Sequence, residues 1–123
     1  MRLTEHAAKL LFQEAGIPAP EGVAVDASLT EGFTPPFAPP YVVKSQVLAG
    51  GRGKAGGIRI IENPKDLDGA LRTVFEVEIQ GQKPPYVRIE PAASIEKEYY
   101  LSLAVSRARK SLALTAGREG GVN

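Results

Sequence analysis

The sequence contains no cysteine and no tryptophan, and only one histidine and one methionine. Without cysteine there is no disulfide framework, no zinc–thiolate site and no thiol nucleophile. The lone histidine, His6, cannot build a Cys/His metal cluster, so any metal would rest on carboxylates and substrate oxygens. Long apolar runs are missing too: none approaches the ~20 residues that a membrane-spanning helix needs. The first six residues include an acid and no greasy stretch, which is not the pattern of a secretory signal, and the expected compartment is the cytoplasm. An excess of one charge sign is also lacking. Fifteen Lys and Arg face 14 Asp and Glu, a formal net charge of +1, which argues against a dedicated nucleic-acid or membrane-surface protein.

What is present suits a globular chain: 123 residues, 43% apolar, enough for one compact domain and too short for two ordinary ones. Thr4 to Ala15 predicts a helix, with Thr4 as cap, Ala7, Leu10, Leu11 and Ala15 at helical spacing, and Gly16 as a left-handed stop. Val23–Val25 reads as a short strand. Residues 27–40 hold four prolines and read as a loop, pinned to the core by Phe33 and Phe37. Tyr41 to Leu48 and Ile58 to Ile61 read as strands on either side of a glycine loop. Asn63-Pro64 opens a second helix whose buried stripe is Leu67, Ala70, Leu71 and Val74. Tyr86–Glu90 and Lys97–Ser106 follow as strands, the latter alternating Tyr99, Leu101, Leu103 and Val105 with Glu98, Tyr100, Ser102 and Ala104. Arg107 to Lys110 reads as a hairpin turn of solvated charge, leading into a last strand, Ser111–Ala116. The order predicts an α+β fold, a mixed or antiparallel sheet with flanking helices, rather than a doubly wound parallel sheet.

The chemistry-bearing segment is Ala49–Gly57, with five glycines in eight positions between Gly50 and Gly57. Such a loop lets backbone N–H groups approach an anion closely, and Arg52 and Lys54 add charge. Gly51-x-Gly53-x-x-Gly56 matches the dinucleotide fingerprint in letters only, because a strand follows where that fold needs a helix. The Walker pattern fails because Ala55, not Ser or Thr, follows Gly53-Lys54. A strand–glycine loop–strand flap over phosphates remains. Lys44, flanked by Val42-Val43 and Val47-Leu48, needs a partner, because an unpaired buried ammonium is costly. A phosphate would supply one; a nearby acid or a side chain snorkelling to water are the alternatives.

At these residues the sequence resembles the ATP-grasp domain of the succinyl-CoA synthetase (succinate–CoA ligase) β subunit. The likeness runs from Leu3-Thr4-Glu5 through Leu11-Phe12 and Gly16–Pro20, peaks at Val42–Lys44 and Ala49–Gly57, and resumes at Ile89–Ala93, Lys97–Leu101 and Glu119–Val122. The resemblance implies the reaction succinate + CoA + nucleoside triphosphate ⇌ succinyl-CoA + diphosphate + phosphate. It implies transfer through a phosphohistidine on an α subunit, so His6 is not that histidine and reads as an ordinary first-turn residue. It also assigns roles. Lys44 and the Gly51-Arg52-Gly53 loop would hold the phosphates of ATP or GTP, Glu90 would be a nucleotide-site carboxylate, Ala93 would lie by the base through its backbone, and Glu98 would face the sugar. Carboxylates are natural acceptors for ribose hydroxyls. Lys54 would assist by charge, and Glu96 reads as a solvated acid.

The resemblance has two gaps. The family has a short helix where this chain has the proline-rich loop. The family chain also continues past Glu119-Gly120-Gly121, and its Mg2+-binding Asn and Asp lie in that continuation. Residues 1–123 are therefore expected to be the N-terminal portion of an incomplete ATP-grasp domain, inactive as a ligase by itself. The implied partners are a nucleotide and the α subunit, with no nucleic acid and no membrane. The alternatives are another ATP-grasp acyl-CoA ligase, such as one acting on malate, and a non-enzymatic nucleotide- or RNA-binding module. For the latter, near-zero net charge and eight aromatics are a poor basis.

Overall fold

A computed structural model describes residues 1–120; Gly121 and Val122, the end of the Glu119–Val122 likeness, lie outside the described residues. The chain divides into two compact units, Met1–Ala92 and Ala93–Asn123.

The first unit is a four-stranded sheet with helices. Helix α1 spans Glu5–Glu14, and the Thr4 side chain caps it by accepting from Ala7 N. Gly16, at φ +79°, supplies the left-handed stop. Strands β1 (Val23–Val25), β2 (Tyr41–Ser45), β3 (Ile58–Ile61) and β4 (Val87–Pro91) pair in the order β1-β4-β2-β3. Every pairing is antiparallel: β2 sets Val43 against Ile89 on one side and Arg59 on the other. Helix α2 spans Leu67–Glu76. It is entered through a 3-10 turn, Pro64–Asp66, whose cap Asn63 accepts from Lys65 N at 3.0 Å. The predicted stripe of α2 is buried as expected, with Phe75 added, and packs with Val25, Val43, Val87 and Ile89 of the sheet. Leu67, Leu71 and Val74 are each at most 2% exposed, worth about 1.5–3 kcal/mol apiece.

Several expectations shift. The strand expected over 41–48 stops at Ser45, although Gln46 still donates its N–H to Tyr86 O (3.3 Å), one step further along the β2–β4 register. The loop 27–40 begins with a 3-10 turn, Ala27–Leu29, set by the Asp26 side chain accepting from Ser28 N, while Phe33 and Phe37 do pack on the core. The apolar positions of α1 are not core: the helix buries no residue fully, and Leu10, Leu11 and Phe12 are about half exposed. The side-chain bonds from α1 to β2 and β4 come from Glu5, His6 and Lys9.

The second unit is the hairpin of β5 (Tyr100–Ser106) and β6 (Ser111–Gly117), turned by Arg107–Lys110. The strand begins at Tyr100, three residues later than expected, so Glu98 precedes it. Its register pairs Leu101 with Ala116, Leu103 with Leu114 and Val105 with Leu112, which puts the large apolar side chains on one exposed face. Among the described residues, no helix is long and apolar enough to cross a membrane.

Candidate functional site

The loop between β2 and β3 is folded on itself. Ala55 N donates to Gly51 O (3.1 Å), Gly56 N to Gly53 O (3.2 Å) and Gly57 N to Arg52 O (2.7 Å), and Ser45 N closes the base on Gly57 O (2.7 Å). Three of its glycines have causes inside the fold. Gly51 and Gly56 adopt φ +79° and +83°, a region that side chains disfavour. A Cβ on Gly57 would sit 2.6 Å from Ile79 Cδ1 and 3.1 Å from Ser45 Cβ. Gly50 and Gly53 have neither reason: their φ is ordinary, and an added Cβ would meet nothing within 4 Å.

Below this loop, α1, β2 and β4 contribute a network of ions. Glu5 stands in the first turn of α1, where the helix dipole favours an anion. Its Oε1 accepts from Lys9 Nζ (2.6 Å) and Lys44 Nζ (2.8 Å), and its Oε2 from Arg52 Nη2 (2.5 Å). Glu90 on β4 accepts from Lys44 Nζ (2.5 Å), Lys9 Nζ (2.9 Å) and Arg88 Nε (2.8 Å). Arg52 also donates through Nη1 to Ser45 O (2.9 Å). Arg88 is 1% exposed; its other nitrogens reach Pro20 O (2.7 Å) and His6 Nδ1 (2.8 Å). Gly22 is what admits it, since a Cβ there would collide with the guanidinium. Gln46 Oε1 accepts from the His6 N–H (2.7 Å), and His6 meets the Tyr86 ring edge-on.

The protonation states follow from these contacts. Burial pushes the Glu5 carboxyl up, but hydrogen bonds from Lys44, Lys9 and Arg52 outweigh it and hold the pKa at about 2. Glu90 is likewise drawn below the ordinary carboxylate range: burial opposes, and Arg88, Lys44 and Lys9 prevail. Burial disfavours the Lys44 ammonium, yet the hydrogen bonds to Glu5 and Glu90 raise its pKa. His6 is pushed down by burial and by Arg88, so it is neutral at pH 7. Four cations (Lys9, Lys44, Arg52 and Arg88) thus face two carboxylates. Two positive charges are left uncompensated in a half-buried place. Beside them opens a cleft of about 390 Å³ lined by Arg2, Leu3, Glu5, Val47, Leu48, Ala49 and Arg52.

The fold therefore brings together Lys44, Arg52 and Glu90, with Gly51 and Gly53 in the same loop as Arg52. Ala93 and Glu98 belong to the second unit, where both are exposed. Lys44 has found its partners in acids, the alternative to a phosphate that the strand pattern left open. Lys54 is exposed. Sequence reasoning missed Glu5, Lys9 and Arg88. Two local signals were available: Glu5 and Lys9 are spaced i,i+4 on α1, and Arg88 shares a strand face with Glu90. His6, read as an ordinary first-turn residue, joins α1 to β4 through Arg88.

These residues do not fit a magnesium site. Among the described residues no group of three His, Cys, Asp or Glu side chains could hold a metal. Each oxygen of Glu5 and Glu90 already accepts from a cation.

The ATP-grasp domain family model matches residues 2–123. The β subunit of the ADP-forming succinate–CoA ligase of Thioalkalivibrio sulfidiphilus is 41% identical over an alignment of 132 residues, which covers 100% of this chain and 34% of that one. The subunits of the same name from Pectobacterium carotovorum subsp. carotovorum and Yersinia pestis are 38% and 36% identical, each over 99% of this chain and 34% of theirs. The chain thus spans about a third of the length of the curated relatives it matches. Among solved structures, the D-alanine–D-alanine ligase of Helicobacter pylori superposes with a TM-score of 0.66 over 95% of this chain and 33% of that one. At 20% identity this likeness concerns the fold alone.

Proposed function

This chain belongs to the ATP-grasp domain family, and from that premise we propose that it is the nucleotide-phosphate-holding part of a succinate–CoA ligase β subunit. The observation that carries the reading is the surplus of two positive charges around Lys44 and Arg52, directly beneath a glycine loop. A nucleotide polyphosphate is an anion that such a surplus attracts. The relatives' names supply the reaction: succinate and CoA joined at the expense of ATP, with GTP as the other candidate nucleotide.

In this reading Lys44 and Arg52 donate to phosphate oxygens and neutralise charge as it shifts during transfer. Gly53, which the fold itself does not require to be glycine, lets the loop backbone come close to the phosphates. Glu90 holds Lys44 charged and in place. Ala93 and Glu98 take the base and the ribose. Mg2+ would arrive on the phosphates with protein ligands from other residues of the subunit, and the phosphoryl group would pass to a histidine on an α subunit in the cytoplasm.

The test is ADP titration of the full-length subunit by calorimetry. Lys44→Ala is expected to weaken binding about tenfold or more, the scale of one charge-assisted hydrogen bond. Unchanged affinity would refute the reading.

A further inference from the structure

We propose that Glu5 is the positioning residue of the phosphate site, holding Lys44 and Arg52 in the geometry that receives the anion. The inference rests on the nucleotide reading above and adds a residue that reading does not use. Lys44 lies on a strand and Arg52 on a loop, and a loop cation has many rotamers to lose when it is ordered. Glu5 is the carboxylate that bonds to both: Lys44 Nζ at 2.8 Å through one oxygen and Arg52 Nη2 at 2.5 Å through the other. It comes from α1, so a single helix turn clamps strand and loop together.

The donors left over suit that role. Lys44 has three N–H groups and gives two to Glu5 and Glu90. Arg52 has five and gives one each to Ser45 O and Glu5. Both keep donors for a phosphate after being fixed by the protein. Lys9, held between Glu5 and Glu90, keeps one more. Glu5 thus organises the cations without exhausting them.

Charge and geometry make opposite predictions. On charge alone, Glu5→Gln raises the positive surplus from two to three and tightens phosphate binding. On positioning, it leaves Arg52 held by Ser45 O alone and Lys44 by Glu90 alone, and binding weakens. Glu5 lies 39 residues from Lys44 and 47 from Arg52, so its carboxylate ties together segments that no contact along the chain holds.

The experiment measures ADP and AMP affinity of the full-length subunit carrying Glu5→Gln, with and without Arg52→Ala. The expected result is ADP affinity about tenfold lower, with a smaller loss for AMP, which lacks the second phosphate. A purely structural loosening would lower both in proportion. In the Arg52→Ala background the Glu5→Gln loss is expected to shrink, because one of the two cations that Glu5 positions is gone. ADP binding that is unchanged or tighter in Glu5→Gln, a proportionate loss of both nucleotides, or an equal loss in both backgrounds overturns the inference. If Glu5→Gln does not fold, Glu5→Asp decides. It keeps the charge and shortens the reach by one methylene, and parental ADP affinity in that variant overturns the positioning role. Lys44→Ala separates the two levels. If it weakens ADP binding while Glu5→Gln does not, this inference fails alone; if neither weakens it, the nucleotide reading fails with it.

Discussion

Arg88 offers the sharpest stability prediction, because it is a fully buried cation with every partner identified. Arg88→Met keeps the length and apolar volume of the side chain and removes the guanidinium. Glu90, the Pro20 carbonyl and His6 Nδ1 each lose a hydrogen bond of 2.7–2.8 Å. Charge-assisted bonds of this kind are worth about 1.5–3 kcal/mol each. The variant in turn avoids desolvating a guanidinium, a cost of several kcal/mol. Glu90 also keeps Lys9 and Lys44, so it is not left as a bare buried charge. The expected net loss is about 3 kcal/mol, the low end for unpairing a buried ion. Urea unfolding of the full-length chain at pH 7 reads it. A second arm checks the geometry. Gly22→Ala drives a methyl into the guanidinium of the parent, and it should be far better tolerated beside the unbranched thioether of the Arg88→Met variant. A loss below about 1 kcal/mol for Arg88→Met, or an equal Gly22→Ala effect in both backgrounds, would refute the reasoning.

Two further outcomes are expected. Glu5 has a folded pKa of about 2 against an ordinary 4.5, so its contribution is complete above pH 4.5 and is lost as pH falls toward 2. After allowance for solvent screening this amounts to about 1–2 kcal/mol; unfolding midpoints between about pH 6 and pH 2.5 should fall less steeply in Glu5→Gln, and an identical slope would count against the ion network. The glycines of the loop should separate by role. Gly57→Ala is expected to cost about 1–3 kcal/mol by crowding Ile79 and Ser45. Gly53→Ala should stay within about 0.5 kcal/mol of the parent yet lower ADP affinity, and melts with and without ADP distinguish the two.

The elements legible in the sequence were those governed by neighbours along the chain. Asn63-Pro64 and the Leu67–Val74 stripe announce α2 because capping and helical spacing are local properties, and the glycine loop is visible for the same reason. The strand ends at Ser45 and Tyr100 were not legible, since where pairing stops is decided by the partner strand and not by the strand's own residues. At the site, the need of Lys44 for a partner could be read, but not which partner. Glu5 and Glu90 reach it from 39 and 46 residues away, and only the antiparallel pairing of β2 with β4 and the docking of α1 bring them there. The apolar spacing of α1 identified a helix, as the structure has it, but not what its face meets.

That docking has a thermodynamic consequence. Helix α1 buries no side chain fully, and its ties to the sheet run through Glu5, His6 and Lys9. Detaching such an element exposes little hydrocarbon, so it adds little to the heat-capacity increment of unfolding, which follows newly wetted apolar area. Its attachment free energy is accordingly a flat function of temperature, and because its ion pairs are mostly buried and in direct contact, salt screens them only weakly while acid removes them. Acid that protonates Glu5 would loosen the N-terminal helix from a sheet that α2 continues to hold, as a separate transition of small heat below the main one.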